Sequence, residues 1–586
     1  YLTNRSIYVI IVTMYIDIVP NRNSPPAILL REGWRESGKI RKRTIANISD
    51  WPQDKVNALR ALLRGDGLVS KDELFSIEQS LPHGHVEAVL GTIKRLGLDV
   101  MISPKRSRER DLVVAMIAER LIHPCSKLAT TRLWHTTTLA EELSVGDADV
   151  DELYDAMDWL LSRQEKIEKR LAEAHLSEGS MVLYDVSSTY YEGQTCSLAR
   201  YGYNRDGKKG MPIIVFGVMT DRDGRPIAVD VYPGNTGDPT TVADQVEKLR
   251  GLFGLSRVVL VGDRGMLTQT QIDNLREYPG LGWISALKGT AIRGLVEGGY
   301  LQLSLFDRQN IGEITSPEYP GERLIACFNP FMEEERRRKR NDLLSATAKD
   351  LMRISKEVEK RVKRPFSSDE IGVKVGKIIN RHKVAKHFRL TIEDSVLRWE
   401  RDEESIRREA MLDGIYVIRT SEAGDDMPAE DTVRNYKNLA RVESAFRCLK
   451  GIDIMVRPIY HRTEDHVRAH IFICMLAYYV EWHMRKALAP ILFADEELDE
   501  NRIMRDPIAP AQSSISAKKK KMNRKTSEEL PVHSFGTILK ELGTRCRNRC
   551  RIKSSPEGKS FHQYTEATPI QEKALQLLDL LPVQRK

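Results

Sequence analysis

The spacing of apolar and polar residues changes twice in the first half of the chain. In residues 27–48, two alternating runs flank Ser37 and Gly38, which predicts a β-hairpin with basic residues on its second strand. From about Gln53 to Leu176 the apolar residues recur at helical spacing, as in DVDELYDAMDWLL. Short apolar runs then return in MVLYDVSST and MPIIVFGVMTDRDGRPIAVDVYPGN, which predict a three-stranded meander with a hairpin at Asp223-Gly224.

Strands and helices alternate after the meander. PTTVADQVEKLRGLFG predicts a helix, RVVLVGD (257–263) a buried strand, 268–278 a second helix and GWISALK a further strand. This alternation indicates an α/β layer with a mixed sheet. Residues 291–412, with RLIACFNP, HFRLTIED and highly charged helical stretches, interrupt the pattern and are interpreted as an insertion. GIYVIRTS (414–421) resumes the sheet, and one helix carrying VRNYKNLARVESAFRCLKG is expected to begin near Pro428.

Composition indicates a folded protein with a preference for polyanions. Of 586 residues, 41% are hydrophobic and 30% are charged, and the longest apolar segment, 7–19, is too short and interrupted to span a bilayer. The 91 basic and 83 acidic residues leave a net charge of +8, with basic clusters at 335–342, 360–364 and 518–525. Such clusters favour nucleic acid over a merely solvated face by a small margin.

The cysteines and the first residue give two further expectations. The seven cysteines are scattered, which is typical of a reducing cytoplasm rather than of a disulfide framework. The chain begins at Tyr1 rather than at a methionine, so the residues before Met14 are interpreted as an upstream extension of translation.

Two carboxylates are predicted at the ends of buried strands, and a third on the last helix of the α/β region. Asp185 follows MVLY, and Asp263 follows VVLVG and precedes Gly265, which permits close backbone approach. Each could instead be a strand-end Asp that starts a turn. Glu443 shares an arc of its helix with Tyr436 and Phe446, so we expect it on the face that packs against the sheet.

Three carboxylates in a partly apolar site repel one another and favour protonation, unless cations balance them. Mg²⁺ prefers oxygen ligands, and two ions can activate a water or a 3′-hydroxyl and stabilise the leaving oxygen in phosphoryl transfer. The order Asp, Asp, Glu on strand, strand and helix is the RNase H-like arrangement.

These residues carry a family resemblance. LYDVSSTYYEG, YGYNRDGKKGMPIIVFGV, YPGNTGDPTT, VGDRGM, NYKNLARVESAFRCLK and the N-terminal RESGKIRKRT resemble, in order and context, a DDE transposase of bacterial insertion sequences. The superfamily in question has a long insertion between the second Asp and the Glu. Its helix motif is Tyr, two residues, Arg, three residues, Glu, six residues, Lys or Arg. Tyr436, Glu443 and Lys450 match this motif, whereas Leu439 stands at the Arg position, where Arg441 or Arg447 is a possible substitute.

The resemblance implies an RNase H-like mixed-sheet core split by an insertion domain, and cut-and-paste transposition. Asp185, Asp263 and Glu443 would bind two Mg²⁺ ions, with Mn²⁺ tolerated, and Tyr436, Arg447 and Lys450 would contact DNA. The partners implied are double-stranded DNA, as terminal inverted repeats and as target, and a second copy of the chain in the DNA complex, without any membrane. The location implied is the bacterial cytoplasm, at the nucleoid.

The expected regions follow from the pattern and the resemblance together. They are an N-terminal hairpin region (1–52), a helical DNA-binding region (53–178) in which 107–135 could hold a helix-turn-helix, a catalytic core (179–290 and 413–486), the insertion (291–412) and a basic C-terminal region (487–586).

Several alternatives remain open at this point. The same site would serve a metal-dependent nuclease that cuts DNA without joining it, and a catalytically dead transposase derivative would only bind DNA. Cys546 and Cys550 form a remote zinc-binding alternative. Asp453 and Glu464 are rivals of Glu443, although Glu464 is more simply interpreted as a capping or solvated residue. The tyrosines that could stack on unpaired bases, or simply pack, are Tyr190, Tyr191, Tyr201 and Tyr203.

Overall fold

The structure is a computed structural model that describes residues 13–22, 24–36, 38–65, 75–552 and 559–581. These residues form two compact units, one within 1–80 and 547–565, the other within 81–546 and 566–586.

The strands and helices are numbered in chain order. The strands are β1 (Thr13–Val19), β2 (Ala27–Glu36), β3 (Lys39–Asn47), β4 (Phe75–Pro82), β5 (Ser180–Tyr190), β6 (Ile213–Asp221), β7 (Pro226–Pro233), β8 (Val258–Val261), β9 (Leu281–Ala286), β10 (Ile311–Ile314), β11 (Arg323–Phe328), β12 (Phe388–Glu393), β13 (Val396–Arg401), β14 (Ile415–Thr420), β15 (Cys546–Ile552) and β16 (Ser560–Tyr564). The α-helices are α1 (Gln53–Leu63), α2 (Gly84–Arg95), α3 (Leu98–Ile102), α4 (Arg108–Ile122), α5 (Lys127–Leu133), α6 (Leu139–Leu143), α7 (Val150–Leu161), α8 (Gln164–His175), α9 (Val242–Glu247), α10 (Gln269–Arg276), α11 (Gly289–Glu297), α12 (Pro330–Lys360), α13 (Ser368–Ile379), α14 (Glu403–Ala410), α15 (Ala429–Lys437), α16 (Leu439–Lys450), α17 (Glu464–Ala487), α18 (Leu498–Met504), α19 (Ile515–Asn523), α20 (Phe535–Gly543) and α21 (Pro569–Leu577).

The first unit holds two small three-stranded sheets. In one, β2 pairs with β1 and β3, and Glu36 lies opposite Lys39 across the turn. Gly38 has a positive φ of 75°, which a glycine adopts without steric cost, whereas Ser37 lies outside the described residues. Most side chains of β3 are exposed, so its basic residues face solvent.

An eight-stranded mixed sheet dominates the second unit, in the order β10-β11-β14-β9-β8-β5-β6-β7. The predicted meander is confirmed, because β6 pairs antiparallel with both β5 and β7. The predicted alternation is also confirmed, since β8 runs parallel to β5 and to β9. Every residue of β6, β8 and β9 is buried, as expected for strands of continuous apolar sequence that are covered on both faces.

Two buried helices organise the helical layer beside the sheet. All residues from Ala469 to Glu481 of α17 are buried, and this helix packs on α4, α7 and β7. All residues from Asp111 to Leu121 of α4 are buried as well. A helix that is buried on every side belongs to a core. The segment 107–135 forms two helices, the buried α4 and the shorter α5, so a helix-turn-helix at this place stays a prediction.

The segment outside the sheet is shorter than the predicted insertion 291–412. Strands β10 and β11 fall within that range yet extend the main sheet through β14. The sequence pattern places them in the insertion, because a strand pairing between residues about ninety positions apart leaves no local signal. Helices α12 and α13 and the hairpin β12–β13 have an apolar core of their own. A buried pair between Arg340 and Asp413, 2.9 Å from Nη1 to Oδ1, links α12 to the chain just before β14.

The helix predicted to begin near Pro428 is in fact two helices. Pro428 directly precedes α15, as expected, but Asn438 separates α15 from α16. The Arg441 N–H donates to the Asn438 carbonyl at 2.8 Å, an i to i+3 bond that tightens the chain at this point. No helix in the described part of the chain is long and apolar enough to cross a membrane.

Candidate active site

Asp185 lies in the middle of β5, not at its end. The strand continues for five more residues to Tyr190, and Asp185 is opposite Val218 of β6. Ser188 and Thr189, which follow it in the strand, are fully buried and pair with β6. The interpretation of Asp185 as a strand-end residue is therefore wrong, and so is the alternative that it merely starts a turn.

Asp263 occupies the turn after β8, as predicted. Its Oδ1 accepts hydrogen bonds from the backbone N–H of Gly265 at 2.9 Å and of Met266 at 2.7 Å. A Cβ atom added to Gly265 would lie 3.3 Å from that same oxygen, a tight contact. The glycine thus lets the chain close around the carboxylate, whose side chain remains exposed.

The parallel pairing of β5 and β8 brings the two aspartates together. Leu183 pairs with Val261, and each aspartate follows two residues later on its own chain segment. Asp263 lies close enough to Asp185 to act on it electrostatically. Burial raises the pKa of Asp185 from 3.8 to about 7; the Val186 N–H lowers it, while the nearby Asp263 raises it further. Asp185 is therefore only partly ionised at neutral pH when no cation is bound.

Glu443 lies on α16, which packs across β5 and β6. The rings of Phe446 and Phe216 meet edge to face at 5.4 Å, and the residues of α16 buried against the sheet are Val442, Ala445, Phe446 and Leu449. Glu443 is exposed at the border of this face, about 100° around the helix from Val442. The expectation that it points at the sheet is wrong, because the apolar face is centred on its neighbours.

Tyr436, on α15, connects the second and third acids. Burial raises the pKa of its phenol to about 12; Asp263 raises it further, Arg264 lowers it and Glu443 raises it. Because both carboxylates act on the same hydroxyl, Tyr436 lies near Asp263 and near Glu443. The phenol stays protonated at neutral pH and can donate a hydrogen bond.

The basic side chains of α16 differ in their exposure and in the partners that they already bind. Lys450 is mostly buried and donates to Oδ1 of Asp206 at 3.1 Å, whereas Arg447 is exposed and donates to Ser444 Oγ at 2.6 Å. Arg441 lies two residues, about 200° around the helix, from Glu443 and binds Asp223 at 2.9 Å. Arg441 therefore does not replace the arginine that the motif expects at Leu439, which itself packs against the apolar core.

Both rivals of Glu443 are engaged elsewhere. Asp453 accepts from Arg485 at 3.0 Å, and Arg485 also binds the buried Glu481. Glu464 is the first residue of α17 and accepts from the Ser197 hydroxyl, while Thr463 caps that helix. These contacts agree with the simpler interpretation of Glu464 as a residue of a helix N-terminus.

The ligand atoms of Asp185, Asp263 and Glu443 do not all lie within 4.8 Å of one another. Among the described residues, only Cys448, Asp453 and Glu481 form a group of three side chains whose ligand atoms lie within 4.8 Å of one another. Arg485 already binds both carboxylates of that group.

The zinc alternative does not fit the strand that holds it. Cys546 and Cys550 lie four residues apart on β15, so their Cα atoms are separated by about 13 Å. Two ligands of one tetrahedral zinc ion lie much closer together.

Two models of known protein families match parts of the chain. Residues 16–73 match the family model of the IS1634 family transposase N-terminal domain, and residues 177–319 match that of the transposase DDE domain. Together, the two matches support a DDE-type transposase of an insertion sequence. The DDE match includes Asp185 and Asp263, whereas Glu443 lies beyond it. No curated protein matches this transposase.

One solved structure that matches the chain is a piggyBac transposase in a synaptic complex with hairpin DNA. It is 11% identical, with a TM-score of 0.33, and the alignment covers 75% of this chain and 76% of that one.

The ion pairs formed by two charged residues of the loop 200–210 are not predicted by the sequence. Arg205 binds Asp238, and Asp206 binds both Lys450 and Arg457. The motif YGYNRDGKKG contains both loop residues, but nothing local to it indicates their distant partners.

Proposed function

We propose that this transposase performs cut-and-paste transposition on an RNase H-like core, with Asp185, Asp263 and Glu443 as its catalytic carboxylates. The observation that carries the proposal is the position of Asp263, which acts electrostatically on both Asp185 and Tyr436, while Glu443 acts on the same tyrosine. The order of β7, β6, β5, β8 and β9 in the sheet supports the choice of core.

The three carboxylates would hold two Mg²⁺ ions. When bound, such ions activate the attacking water or 3′-hydroxyl and stabilise the leaving oxygen. The site suits them because the buried Asp185 lies beside Asp263, and a cation relieves the repulsion that keeps Asp185 partly protonated. The backbone N–H groups of Gly265 and Met266 fix Oδ1 of Asp263.

Three residues of α15 and α16 are proposed to bind the DNA backbone. Tyr436 carries a neutral phenol near Asp263 and Glu443, so it can donate to a phosphate oxygen there. Arg447 is exposed one turn beyond Glu443 and offers a planar guanidinium. Lys450 follows on the same side of the helix as a point charge.

Only some of the basic clusters are available for DNA elsewhere on the molecule. Arg338 and Lys339 of α12, the segment 360–364 and Lys518, Lys519 and Lys521 of α19 are exposed. Arg340 is held in its buried pair, and Lys520 donates to the carbonyl of Ala489 at 3.0 Å. We propose that the exposed cations bind the inverted repeats and the target, with two copies of the chain in the DNA complex.

The test is Mg²⁺-dependent cleavage and strand transfer with a labelled duplex that carries one end of the element. Wild type should nick the end and join the freed 3′-hydroxyl to target DNA. Cleavage without joining would identify a nuclease, and binding without cleavage would identify an inactive derivative. The third acid is tested by Glu443→Gln, which should eliminate both steps at matched DNA occupancy.

Glu464→Gln is the matched control, since it removes the same charge from a helix N-terminus and should keep most activity. Activity retained by Glu443→Gln and lost by Glu464→Gln would overturn the assignment.

A further inference from the structure

We propose that Arg457 is a further phosphate-binding residue, that it forms one anion site with Lys450, and that Asp206 fills this site when DNA is absent. The inference rests on the proposed function, since it assigns a role beside the same three acids.

Asp206 shows that an anion site is built at this position. Its Oδ1 lies 2.6 Å from Nη1 of Arg457 and 3.1 Å from Nζ of Lys450, so two cations share one oxygen. Its Oδ2 accepts the N–H of Tyr190 at 3.2 Å. The Asp206 side chain is only 4% exposed, so these groups converge on a sheltered oxyanion.

Arg457 is oriented by its surroundings. Its Nε donates to the carbonyl of Lys450 at 3.2 Å, and its guanidinium lies 5.8 Å from the centre of the Tyr190 ring. The side chain is 29% exposed, so the guanidinium is held in place without being enclosed. A planar guanidinium of fixed orientation matches the geometry of a phosphate group.

The position of Arg457 accounts for the missing arginine of the helix motif. Leu439 packs against the core, and Arg441 binds Asp223 on the other side of α16. Arg457 instead approaches from the segment after α16 and lies beside Lys450, at the end of the helix that carries Glu443. A cation at this place can serve the same phosphates without belonging to the helix.

The loop that carries Asp206 has charges complementary to the site. Arg205 binds Asp238, and both act on Asp185, whereas the next residue, Asp206, binds the two cations. In this loop, the cation Arg205 therefore lies near the carboxylate of Asp185, and the anion Asp206 lies beside the two cations. Gly207 has a positive φ of 72° directly after this pair. Phosphate binding by Arg457 requires that Asp206 give up its place.

The experiment measures binding of an end-containing duplex, with EDTA present, as a function of salt. Replacing Arg457 by Gln should weaken binding about tenfold near 0.1 M salt and should make the slope of log K against log salt shallower by about 0.9. Arg457→Lys keeps the charge and should keep the slope. Asp206→Asn removes the competing anion and should tighten binding about tenfold with an unchanged slope.

Arg485→Gln is the matched control. Arg485 is likewise an arginine paired with carboxylates, and its exposed fraction of 39% is similar. Its partners are Asp453, Glu481 and the ring of Phe535 rather than Asp206. Its loss should lower the melting temperature without changing the salt slope.

An unchanged slope in Arg457→Gln, together with a drop in melting temperature like that of the control, would show that Arg457 only supports the fold. Weaker binding by a folded Asp206→Asn would also overturn the proposal. If wild type binds with a steep salt dependence but never cuts, the proposed function fails while these binding results still decide the role of Arg457.

Discussion

Replacing Asp185 by Asn should stabilise the metal-free transposase and at the same time abolish cleavage. Asp185 is largely removed from water, and both Asp263 and Asp238 oppose its ionisation. The amide is close in size to the carboxyl group and carries no charge, so the variant loses these unfavourable interactions. It also loses the negative charge that an oxygen-ligated cation needs.

The magnitude follows from the pKa of the carboxyl group. The pKa rises from 3.8 to about 7 in the folded protein. At about 1.36 kcal/mol for each pH unit, this interval corresponds to about 4 kcal/mol. Because the folded-state pKa is the higher one, the stabilisation from Asp185 is full below about pH 4 and is lost as pH rises through 7. The gain on substitution is therefore largest, at most about 4 kcal/mol, above pH 7.

Urea unfolding of both proteins between pH 5 and 8, with EDTA present, gives the difference in free energy of unfolding. The difference should shrink by about 2–3 kcal/mol between pH 8 and pH 5, because wild type becomes protonated over that range. A constant difference across the range would refute the electrostatic reasoning. Normal cleavage by Asp185→Asn in Mg²⁺ would refute its role at the metal site.

Three further outcomes are expected. Asp263→Asn should abolish cleavage with DNA binding near wild type, which a cleavage assay at matched occupancy measures; normal cleavage would exclude Asp263 as a ligand. Binding of wild type to the element ends should depend strongly on salt, by about 0.9 in slope per neutralised phosphate, and a constant that barely changes with salt would contradict this. Arg340→Gln should lower the free energy of unfolding by about 3–5 kcal/mol, because it leaves Asp413 buried without its partner. An exposed-site control, Arg338→Gln, should leave that free energy nearly unchanged when both are measured by urea unfolding.

The local pattern predicted those elements whose causes are local. The continuous apolar runs of β6 and β8 and the Asp223-Gly224 turn were enough to predict the meander and the alternation that follows it. Prediction failed where a distant partner decides the structure. Ser188 and Thr189 look like turn residues, yet pairing with Val215 and Ile214 keeps them in β5. The break at Asn438 was missed for another reason, since apolar spacing continues through it.

The sequence predicts which types of residue form the candidate site, but not which of its charged residues pair with each other. Asp263 is recognisable because its strand, its turn and Gly265 are adjacent in sequence. The pairing of Asp206 with Lys450 joins residues more than two hundred positions apart, so no spacing rule could reveal it. The exposure of the Glu443 side chain could not be predicted either, because helical periodicity locates the buried face of a helix only to within about one residue.

The charges around the site are best understood as substitutes for those of the bound substrate. Asp185 remains partly protonated, and Arg205 is the positive group that acts on it. On the other side, Asp206 takes a place next to Lys450 and Arg457 that a phosphate oxygen could fill. Burying these groups without partners would be costly, so a DNA-free protein needs internal counter-charges to keep the site assembled. DNA must displace these counter-charges when it binds. Replacing Asp206 should therefore remove the free-energy cost of freeing Lys450 and Arg457 without changing the contacts that these two cations make with DNA.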